Sequence, residues 1–312
     1  MKKKSVVVTG GAGFIGSNLA IALSKENHVV VIDDLSTGYL GNIRSSIDDG
    51  SIEFVKGSVV DLSLLQKTLN NVDYVFHEAA LPSVPRSIKD PLTTNNVNIT
   101  GTLNVLLAAR DNEVKKVVYA SSSSLYGDTR TLPKKENMIP NPLSPYAVSK
   151  LAGEYYCQIF TVLYGLPTVA LRYFNVYGPR QDPMSEYAAV IPKFITQMLN
   201  HQNMVIYGDG KQTRDFTYVA DVVRANILAA ESKITGVFNA AGGKRITLND
   251  LAQTIMMLCK NKVDIVYADV RPGDIKHSHA DSSKAKNAFG YIPKYNIKKG
   301  LKETIQWYQK QQ

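Results

Sequence analysis

Two side chains that could do proton chemistry, Tyr146 and Lys150, stand four residues apart at the start of a helical pattern. Residues at i and i+4 lie on one face of a helix, so the Lys150 ammonium is expected near the Tyr146 phenol. An ordinary tyrosine has a pKa of about 10, which is too high for a base at neutral pH. Because a neighbouring cation favours the phenolate, we expect Lys150 to lower the pKa of Tyr146 and make it a general base.

Four consecutive serines, residues 121–124, end a predicted strand a short loop before this pair. Ser122 is expected to share a hydrogen bond with the substrate hydroxyl that Tyr146 would deprotonate. The competing interpretation is a surface helix that begins with an unrelated tyrosine and lysine, because Tyr-x-x-x-Lys often occurs by chance. The N-terminal part of the chain favours the chemical interpretation.

The chain begins with a β-branched strand, Ser5–Thr9, that leads into a glycine-rich turn at 10–16 and a helix to about Glu26. Such glycines let the backbone turn tightly and approach a pyrophosphate, which the helix N-terminus then faces. A second strand at 28–32 ends at Asp33, near the usual distance for a carboxylate that binds the adenosine ribose hydroxyls. This order predicts dinucleotide binding, and Asp33 favours NAD because it would repel a 2′-phosphate.

The alternation of strands and helices continues along the chain and predicts a parallel sheet covered on both faces. The fold class is therefore α/β, a doubly wound parallel Rossmann sheet with a smaller, discontinuous C-terminal substrate domain. Beyond about Gly178 the pattern becomes irregular and interrupted by prolines. We predict an NAD-binding domain over 1–177, with a segment at about 211–243 returning to it, and a substrate domain over most of 178–312.

Composition limits the partners. The net charge is +9 over 312 residues, but the lysines are scattered and form no basic helix, so nucleic acid binding is not predicted. Cys157 and Cys259 are far apart and lack His or Cys neighbours at metal spacing, so neither a disulfide nor a metal site is predicted. No apolar stretch reaches membrane-spanning length. We expect a cytoplasmic protein.

The glycine turn, the serine-ended strand and the Tyr146–Lys150 pair, in this order, resemble the extended short-chain dehydrogenase/reductase superfamily. Four segments are similar to its nucleotide-sugar branch, and within it to UDP-hexose 4-epimerases: 9–16, 98–102, 172–180 and 214–219. The resemblance implies that Ser122, Tyr146 and Lys150 are the catalytic trio and that the cofactor is NAD.

The resemblance also implies a set of binding residues. The NAD contacts would be Gly10, Gly13, Phe14, Ile15, Gly16, Asp33, Asp34, Ser58, Val59, Ala79, Asn98, Tyr146, Lys150 and Tyr173. The UDP-sugar contacts would be Ser83, Ser122, Ser123, Tyr146, Asn175, Ala189, Val190, Tyr207, Arg214, Arg271, Asp274 and Ser278. Among these, Tyr207 would stack on uracil, Arg214 and Arg271 would grip the diphosphate, and Asp274 would bind the uridine ribose.

Three positions bear on cofactor and sugar. Ser58 stands where many members carry an aspartate for the adenine amino group, and its hydroxyl can accept one hydrogen bond. Pro82 replaces a lysine common in glucose/galactose epimerases, and its loop is similar to that of epimerases acting on N-acetylated UDP-hexosamines. Ser278 occupies a position that resembles a gate which is a bulky tyrosine in enzymes restricted to UDP-glucose and UDP-galactose.

The implied reaction is inversion at C4 through a transient 4-keto sugar, on UDP-GlcNAc/UDP-GalNAc and also UDP-Glc/UDP-Gal. Alternatives are a UDP-glucuronate 4-epimerase, or a nucleotide-sugar 4,6-dehydratase or decarboxylase, although Ser123 and Ser124 stand where those two carry acids. A non-enzymatic alternative is an NAD-binding regulator, which usually lacks Tyr or Lys of the pair. Apolar residues on the helices that begin near Thr93 and Tyr146 predict a homodimer.

Overall fold

A computed structural model describes residues 1–183, 189–270 and 276–311. The described residues form these strands: β1 Ser5–Thr9, β2 His28–Asp33, β3 Ile52–Lys56, β4 Tyr74–His77, β5 Lys116–Ser122, β6 Thr168–Tyr173, β7 Val176–Tyr177, β8 Met204–Tyr207, β9 Thr213–Asp215, β10 Thr217–Tyr218, β11 Gly236–Ala240, β12 Arg245–Thr247 and β13 Ile265–Ala268. Seven of them build one sheet in the order β3-β2-β1-β4-β5-β6-β11, and every neighbouring pair is parallel.

The strand order reverses beside β1, which lies between β2 and β4. In an open parallel sheet, ligands bind outside the carboxyl ends of the strands at such a reversal. The glycine turn after β1 and the serines at the end of β5 therefore face the same crevice. The predicted fold class is confirmed.

Helices cover both faces of the sheet. The described helices are α1 Phe14–Ser24, α2 Arg44–Asp48, α3 Leu62–Thr68, α4 Val84–Lys89, α5 Pro91–Asn95, α6 Gly101–Asp111, α7 Pro145–Tyr164, α8 Val190–Leu199, α9 Val219–Glu231, α10 Leu248–Cys259, α11 Ser283–Phe289 and α12 Ile297–Gln309. One hydrophobic core joins the sheet to α1 and α9, and a second joins it to α3, α6 and α7. The strands contribute β-branched residues to each core, which suit a sheet buried on both faces.

Two boundaries differ from the predictions. The long helix expected from about Thr93 to Asn112 starts at Pro91, where the Asp90 carboxylate accepts from the Thr93 amide at 3.0 Å. It then runs through a π-helical segment at 96–100 before α6. The first helix ends at Ser24 rather than at Glu26.

The C-terminal part was predicted as irregular, and this is corrected by five helices, α8 to α12. The α8, α10 and α12 helices each carry their buried residues on one face, so their local periodicity was a usable signal that the prediction missed. The α8, α10 and α12 helices share a third hydrophobic core with β8 and β10. Within 211–243, α9 packs on the main sheet and β11 extends it beside β6. The division into two domains stays a prediction.

The residues expected to form a dimer interface divide into two groups. Val105 and Leu106 are fully buried in the monomer, and Leu103 and Leu107 pack against the same core, so α6 is used for ordinary packing. On α7, Phe160 is buried but Tyr155 and Ile159 are exposed. The homodimer stays a prediction that rests on the outer face of α7. Over the described ranges, no helix combines the length and apolar character that a membrane crossing needs.

Candidate active site

A cavity of about 1510 Å³ lies at the carboxyl ends of the sheet strands. Pockets for a single small molecule are usually about 300–1,000 Å³, so this one has room for a dinucleotide and a second ligand together. The glycine turn lines one part of it, and Ser122, Tyr146 and Lys150 line another. The structure therefore brings together the two motifs that the sequence placed far apart.

Nearly all the predicted contact residues that the structure describes line this cavity. They are Gly10, Gly13, Phe14, Ile15, Gly16, Asp33, Asp34, Ser58, Val59, Ala79, Ser83, Ser122, Ser123, Tyr146, Lys150, Tyr173, Asn175, Ala189, Val190, Tyr207, Arg214 and Ser278. Arg271 and Asp274 lie outside the described residues.

Asn98 differs from the expectation of a cofactor contact. The structure does not bring it to the cavity wall: its side chain is buried, its Oδ1 accepts from the Leu81 amide at 2.8 Å, and its Nδ2 donates to Ser149 Oγ at 3.0 Å. Asn98 therefore joins the loop after β4 to α7, and it acts on the site by positioning Leu81 and the helix that carries Tyr146.

The glycine turn fits a dinucleotide because no side chain could occupy it. A Cβ at Gly16 would lie 2.1 Å from the Gly10 carbonyl oxygen. Gly10 has φ +68°, and its Cβ would lie 2.6 Å from the Ala79 amide nitrogen. This close packing leaves the N-terminus of α1 open to the cavity, where its amides can face phosphate oxygens.

Asp33 completes the expected NAD site at the end of β2. Its carboxylate is held by the backbone amides of Ala12, at 2.9 Å, and Leu35, at 2.8 Å. Burial raises the pKa of Asp33, and these hydrogen bonds oppose the rise. The carboxylate is thus a fixed acceptor at the cavity wall, which suits ribose hydroxyls better than a phosphate.

The substitution Gly16→Ala tests this turn. Because the added Cβ meets backbone rather than a flexible side chain, we expect the free energy of unfolding to fall by about 1–3 kcal/mol or more, and the purified protein to retain less NAD. Urea denaturation and the NAD released on acid precipitation measure the two effects. Gly13→Ala is the matched control for stability, since its Cβ would lie 3.1 Å from the same Gly10 oxygen. Equal stability of Gly16→Ala and the wild type would contradict the account.

Tyr146, the predicted catalytic base, is positioned by the start of α7. Ser144 caps this helix, because its Oγ accepts from the Ala147 amide at 3.2 Å. The Tyr146 amide donates to Ser87 Oγ at 3.0 Å, which ties the helix start to α4. The Ser122 hydroxyl lies near enough to the Tyr146 phenol to oppose the rise in its pKa, and Ser122 Oγ accepts from the Ser124 amide at 3.2 Å. The serine and the tyrosine therefore face one point in the cavity.

The expected effect of Lys150 on Tyr146 needs a correction. Burial raises the pKa of Tyr146, and the hydrogen bond from Ser122 opposes that rise only in part. Lys150 is itself buried, its Nζ donates to the Ala120 carbonyl at 2.8 Å, and loss of solvation lowers its pKa to about 8. The sequence argument omitted desolvation, which disfavours the charged form of both groups.

Asp215 is fully buried and does not itself line the cavity, but it supports the part of the wall that carries Ser278. Its carboxylate accepts from the Ala280 amide at 3.1 Å and the Gly243 amide at 3.0 Å, which fixes two loops beside β9. Burial raises the pKa of Asp215 to about 6. The Ser278 amide donates to the Thr213 carbonyl at 3.0 Å, and Asn175 Nδ2 lies 3.4 Å from Ser278 Oγ. These contacts hold the small Ser278 side chain at the cavity wall.

Several cavity residues were missed in the sequence. Glu78 directly follows β4, and its position at the carboxyl end of a parallel strand was a usable signal. Arg180 lines the cavity and donates from Nε to the Asn42 carbonyl at 3.2 Å. Trp307 and Tyr308 reach the cavity from α12, and no local pattern links that helix to the site.

Comparison with known proteins then settles the family. Residues 6–241 match the NAD dependent epimerase/dehydratase family. The chain belongs to this family. A putative UDP-glucose 4-epimerase of Methanocaldococcus jannaschii is 39% identical to this chain over 305 residues, which are 97% of each protein.

Solved structures agree with the assignment. A UDP-N-acetylglucosamine 4-epimerase from Methanobrevibacter ruminantium, in complex with UDP-N-acetylmuramic acid, superposes with a TM-score of 0.97 and 47% identity over 100% of both chains. A UDP-glucuronic acid 4-epimerase from Bacillus cereus, in complex with UDP-glucuronic acid and NAD, gives a TM-score of 0.91 and 34% identity over 99% of this chain and 100% of that one. The expectations of an isomerase and of NAD as cofactor are confirmed, and NAD-dependent UDP-sugar 4-epimerisation is the activity that these similarities support.

Proposed function

We propose that this enzyme inverts C4 of UDP-GlcNAc and UDP-GalNAc and also accepts UDP-Glc and UDP-Gal. The observation that carries the choice of sugar is the small Ser278 side chain, which lines the cavity beside Asn175. A tyrosine there would take up the space that a 2-acetamido group needs. The 47% identical neighbour that binds UDP-N-acetylmuramic acid supports a pocket that admits an N-acetylated sugar.

In the proposed mechanism Tyr146 acts as the general base on the sugar 4-hydroxyl. When bound, NAD would supply reversible hydride acceptance at C4. Ser122, whose hydroxyl lies near the Tyr146 phenol, would hydrogen-bond to the sugar 4-hydroxyl and orient it toward Tyr146. The Lys150 ammonium would favour the phenolate against the cost of burial. After the keto sugar has rotated to present its other face, return of the hydride to C4 and of the proton from Tyr146 would complete the inversion with no net redox change.

The residues that hold the nucleotide would remain fixed during this turn of the sugar. Tyr207 and Arg214 line the same cavity as the trio, and Ala189 and Val190 line it at the start of α8. An aromatic ring suits the uracil base and a guanidinium suits the diphosphate. Binding at the nucleotide end would therefore tether the sugar while its hexose ring presents first one face and then the other.

Elimination or decarboxylation receives less support from the same site. Those reactions in the superfamily use an acid beside the catalytic hydroxyl, whereas Ser123 and Ser124 follow Ser122 here. Ser124 Oγ lies 2.9 Å from Ser122 Oγ, so this side chain supports the catalytic serine instead of serving as an acid. A UDP-glucuronate 4-epimerase would use the same serines and is tested alongside. A regulator without chemistry is disfavoured because Tyr146 and Lys150 both line the cavity.

The substitution Ser278→Tyr tests the sugar assignment. We expect the wild type to epimerise UDP-GlcNAc and UDP-Glc, and the variant to lose at least about tenfold in kcat/KM for UDP-GlcNAc while turnover of UDP-Glc is retained. Coupled assays on UDP-GlcNAc, UDP-Glc and UDP-glucuronate in parallel measure this. Ser283→Tyr, the same change at an exposed serine on α11, is the control.

Three results would argue against the proposal. Undiminished turnover of UDP-GlcNAc by Ser278→Tyr would remove the gating role of this residue. Turnover of UDP-glucuronate alone would favour the alternative epimerase. Release of water or carbon dioxide without a 4-epimer would overturn the reaction class.

A further inference from the structure

We propose that Glu78 is a positioning residue of this site: its carboxylate keeps the Lys150 ammonium charged inside the cavity and thereby sustains the Tyr146 phenolate. The catalytic consequence rests on the proposed function, whereas the effect on Lys150 does not. Glu78 directly follows β4 and lines the cavity together with Lys150, Tyr146 and Tyr173.

Glu78 is held in one place by strands on either side of it. Its amide donates to the Thr9 carbonyl at 3.1 Å, which anchors it to the end of β1. The Tyr173 hydroxyl donates to Glu78 Oε1 at 2.7 Å, and that hydroxyl also accepts from Asn226 Nδ2 at 2.8 Å. The Asn226 side chain is buried and comes from α9. The carboxylate is therefore a fixed part of the cavity wall rather than a mobile surface acid.

Lys150 lacks a contacting counter-charge. Its Nζ donates to the Ala120 carbonyl at 2.8 Å and lies 5.0 Å from the centroid of the Tyr119 ring. Neither partner carries a charge. Within the described ranges, none of the ion pairs within 4.0 Å includes Lys150. His77 of β4 lies opposite Tyr119 of β5, so the next residues, Glu78 and Ala120, are neighbours at the ends of adjacent strands. Glu78 therefore stands beside the residue whose carbonyl binds the Lys150 ammonium.

The other titratable groups around the pair do not supply that charge. They are His77 of β4, Tyr119 of β5, Tyr146 and Cys157 of α7, and Tyr173 of β6. Burial lowers the pKa of His77 to about 3, so this imidazole is neutral, and it lies between the Thr9 and Thr102 hydroxyls. Burial raises the pKa of the three tyrosines and of the Cys157 thiol. Glu154 is nearby but is paired with Arg172.

The charges on Glu78 and Lys150 stabilise each other near neutral pH. Desolvation lowers the pKa of Lys150 to about 8, and the Glu78 charge opposes the fall. Desolvation raises the pKa of Glu78 to about 7, opposed by Tyr173 and Lys150. Between these values both groups are mostly charged. Neutralising Glu78 would let the pKa of Lys150 fall further, so the ammonium would be lost nearer to neutral pH.

The substitution Glu78→Gln removes the charge and keeps an oxygen that Tyr173 can bond. We expect the pH at which Lys150 is half-reactive toward an acylating reagent to fall by about one unit, because only the neutral amine reacts. Peptide mass spectrometry of the purified protein, labelled over a pH series, measures this without any turnover. The alkaline limb of kcat should move down by the same amount, with KM for the UDP-sugar unchanged.

Glu53→Gln, the same change on an exposed residue of β3, is the control and should leave both midpoints in place. If Glu78→Gln does not fold, Lys150→Met gives the reciprocal measurement: the carboxyl infrared band of Glu78 should titrate at higher pH than in the wild type. An unchanged or raised Lys150 midpoint in Glu78→Gln, or an unchanged Glu78 midpoint in Lys150→Met, would overturn the inference. A lowered Lys150 midpoint in a protein that epimerises no UDP-sugar would support the inference and refute the proposed function.

Discussion

Replacing Tyr146 by phenylalanine should lower kcat for UDP-sugar epimerisation by about 10²–10⁴-fold, the range that a general acid–base group contributes. The variant keeps the ring at the start of α7 and loses only the phenolic hydroxyl, which lies near Ser122. Substrate affinity should therefore change little, because the nucleotide is expected to bind at Tyr207 and Arg214. Steady-state kinetics and calorimetric binding of the UDP-sugar separate the two effects.

Tyr155→Phe is the matched control for this experiment. It makes the same change on the same helix, at a side chain that is exposed and outside the cavity. Its kcat should equal that of the wild type. Activity of Tyr146→Phe within tenfold of the wild type would show that another group takes the proton, and the assignment of the base would have to be withdrawn.

The largest expected effect on stability comes from Glu154→Gln. Glu154 and Arg172 form a buried ion pair beneath β5. The Arg172 Nε and Nη2 atoms lie 2.8 and 2.7 Å from the two carboxylate oxygens. The Ser121 hydroxyl donates to the same carboxylate. Removing one partner leaves an uncompensated buried guanidinium, so we expect the free energy of unfolding to fall by about 3–5 kcal/mol. Urea denaturation measures it.

A double substitution distinguishes the cost of leaving the Arg172 charge without a partner from the loss of a stabilising ion pair. In Glu154→Leu with Arg172→Met both charges are gone, and apolar side chains fill the space. Replacing a whole buried pair in this way is often neutral or stabilising, so the double variant should be markedly more stable than Glu154→Gln. If both proteins are equally destabilised, the pair stabilises the fold in its own right and the argument from desolvation is wrong.

The Glu154–Arg172 pair also affects the predicted site through Ser121, which donates to Glu154. Ser121 precedes Ser122, so the ion pair under β5 helps to fix the strand end that presents the predicted catalytic serine. Arg172 also stacks on Tyr126, with the guanidinium carbon 4.8 Å from the ring centroid. The Tyr126 hydroxyl in turn donates to Asn239 Oδ1 at 2.7 Å, on β11. Stability and the placement of Ser122 are therefore expected to change together in Glu154→Gln.

Much of the dinucleotide half was predictable because its signals are local. A glycine turn between a β-branched strand and a helix is dictated by backbone sterics over a few residues, and the Cβ clashes at Gly10 and Gly16 show the reason. The Tyr146–Lys150 spacing follows from the helical period alone. The alternation of strands and helices was also sufficient to predict a parallel sheet. For the C-terminal part, a return of about 211–243 to the NAD-binding domain stays a prediction, and the individual helices from α8 to α12 were not located from the sequence.

What the sequence by itself determined is therefore which residues could react and in which order along the chain they stand. The tertiary structure alone decided in which environment these residues ionise and which groups surround them. It buried Lys150 and half-buried Tyr146, so that desolvation works against the ionisation that their spacing suggested. It directed Asn98 to Leu81 and Ser149, and brought Glu78 and Trp307 to the cavity wall. Spacing is a property of a few consecutive residues, whereas solvation and long-range contacts depend on every element that packs around a group.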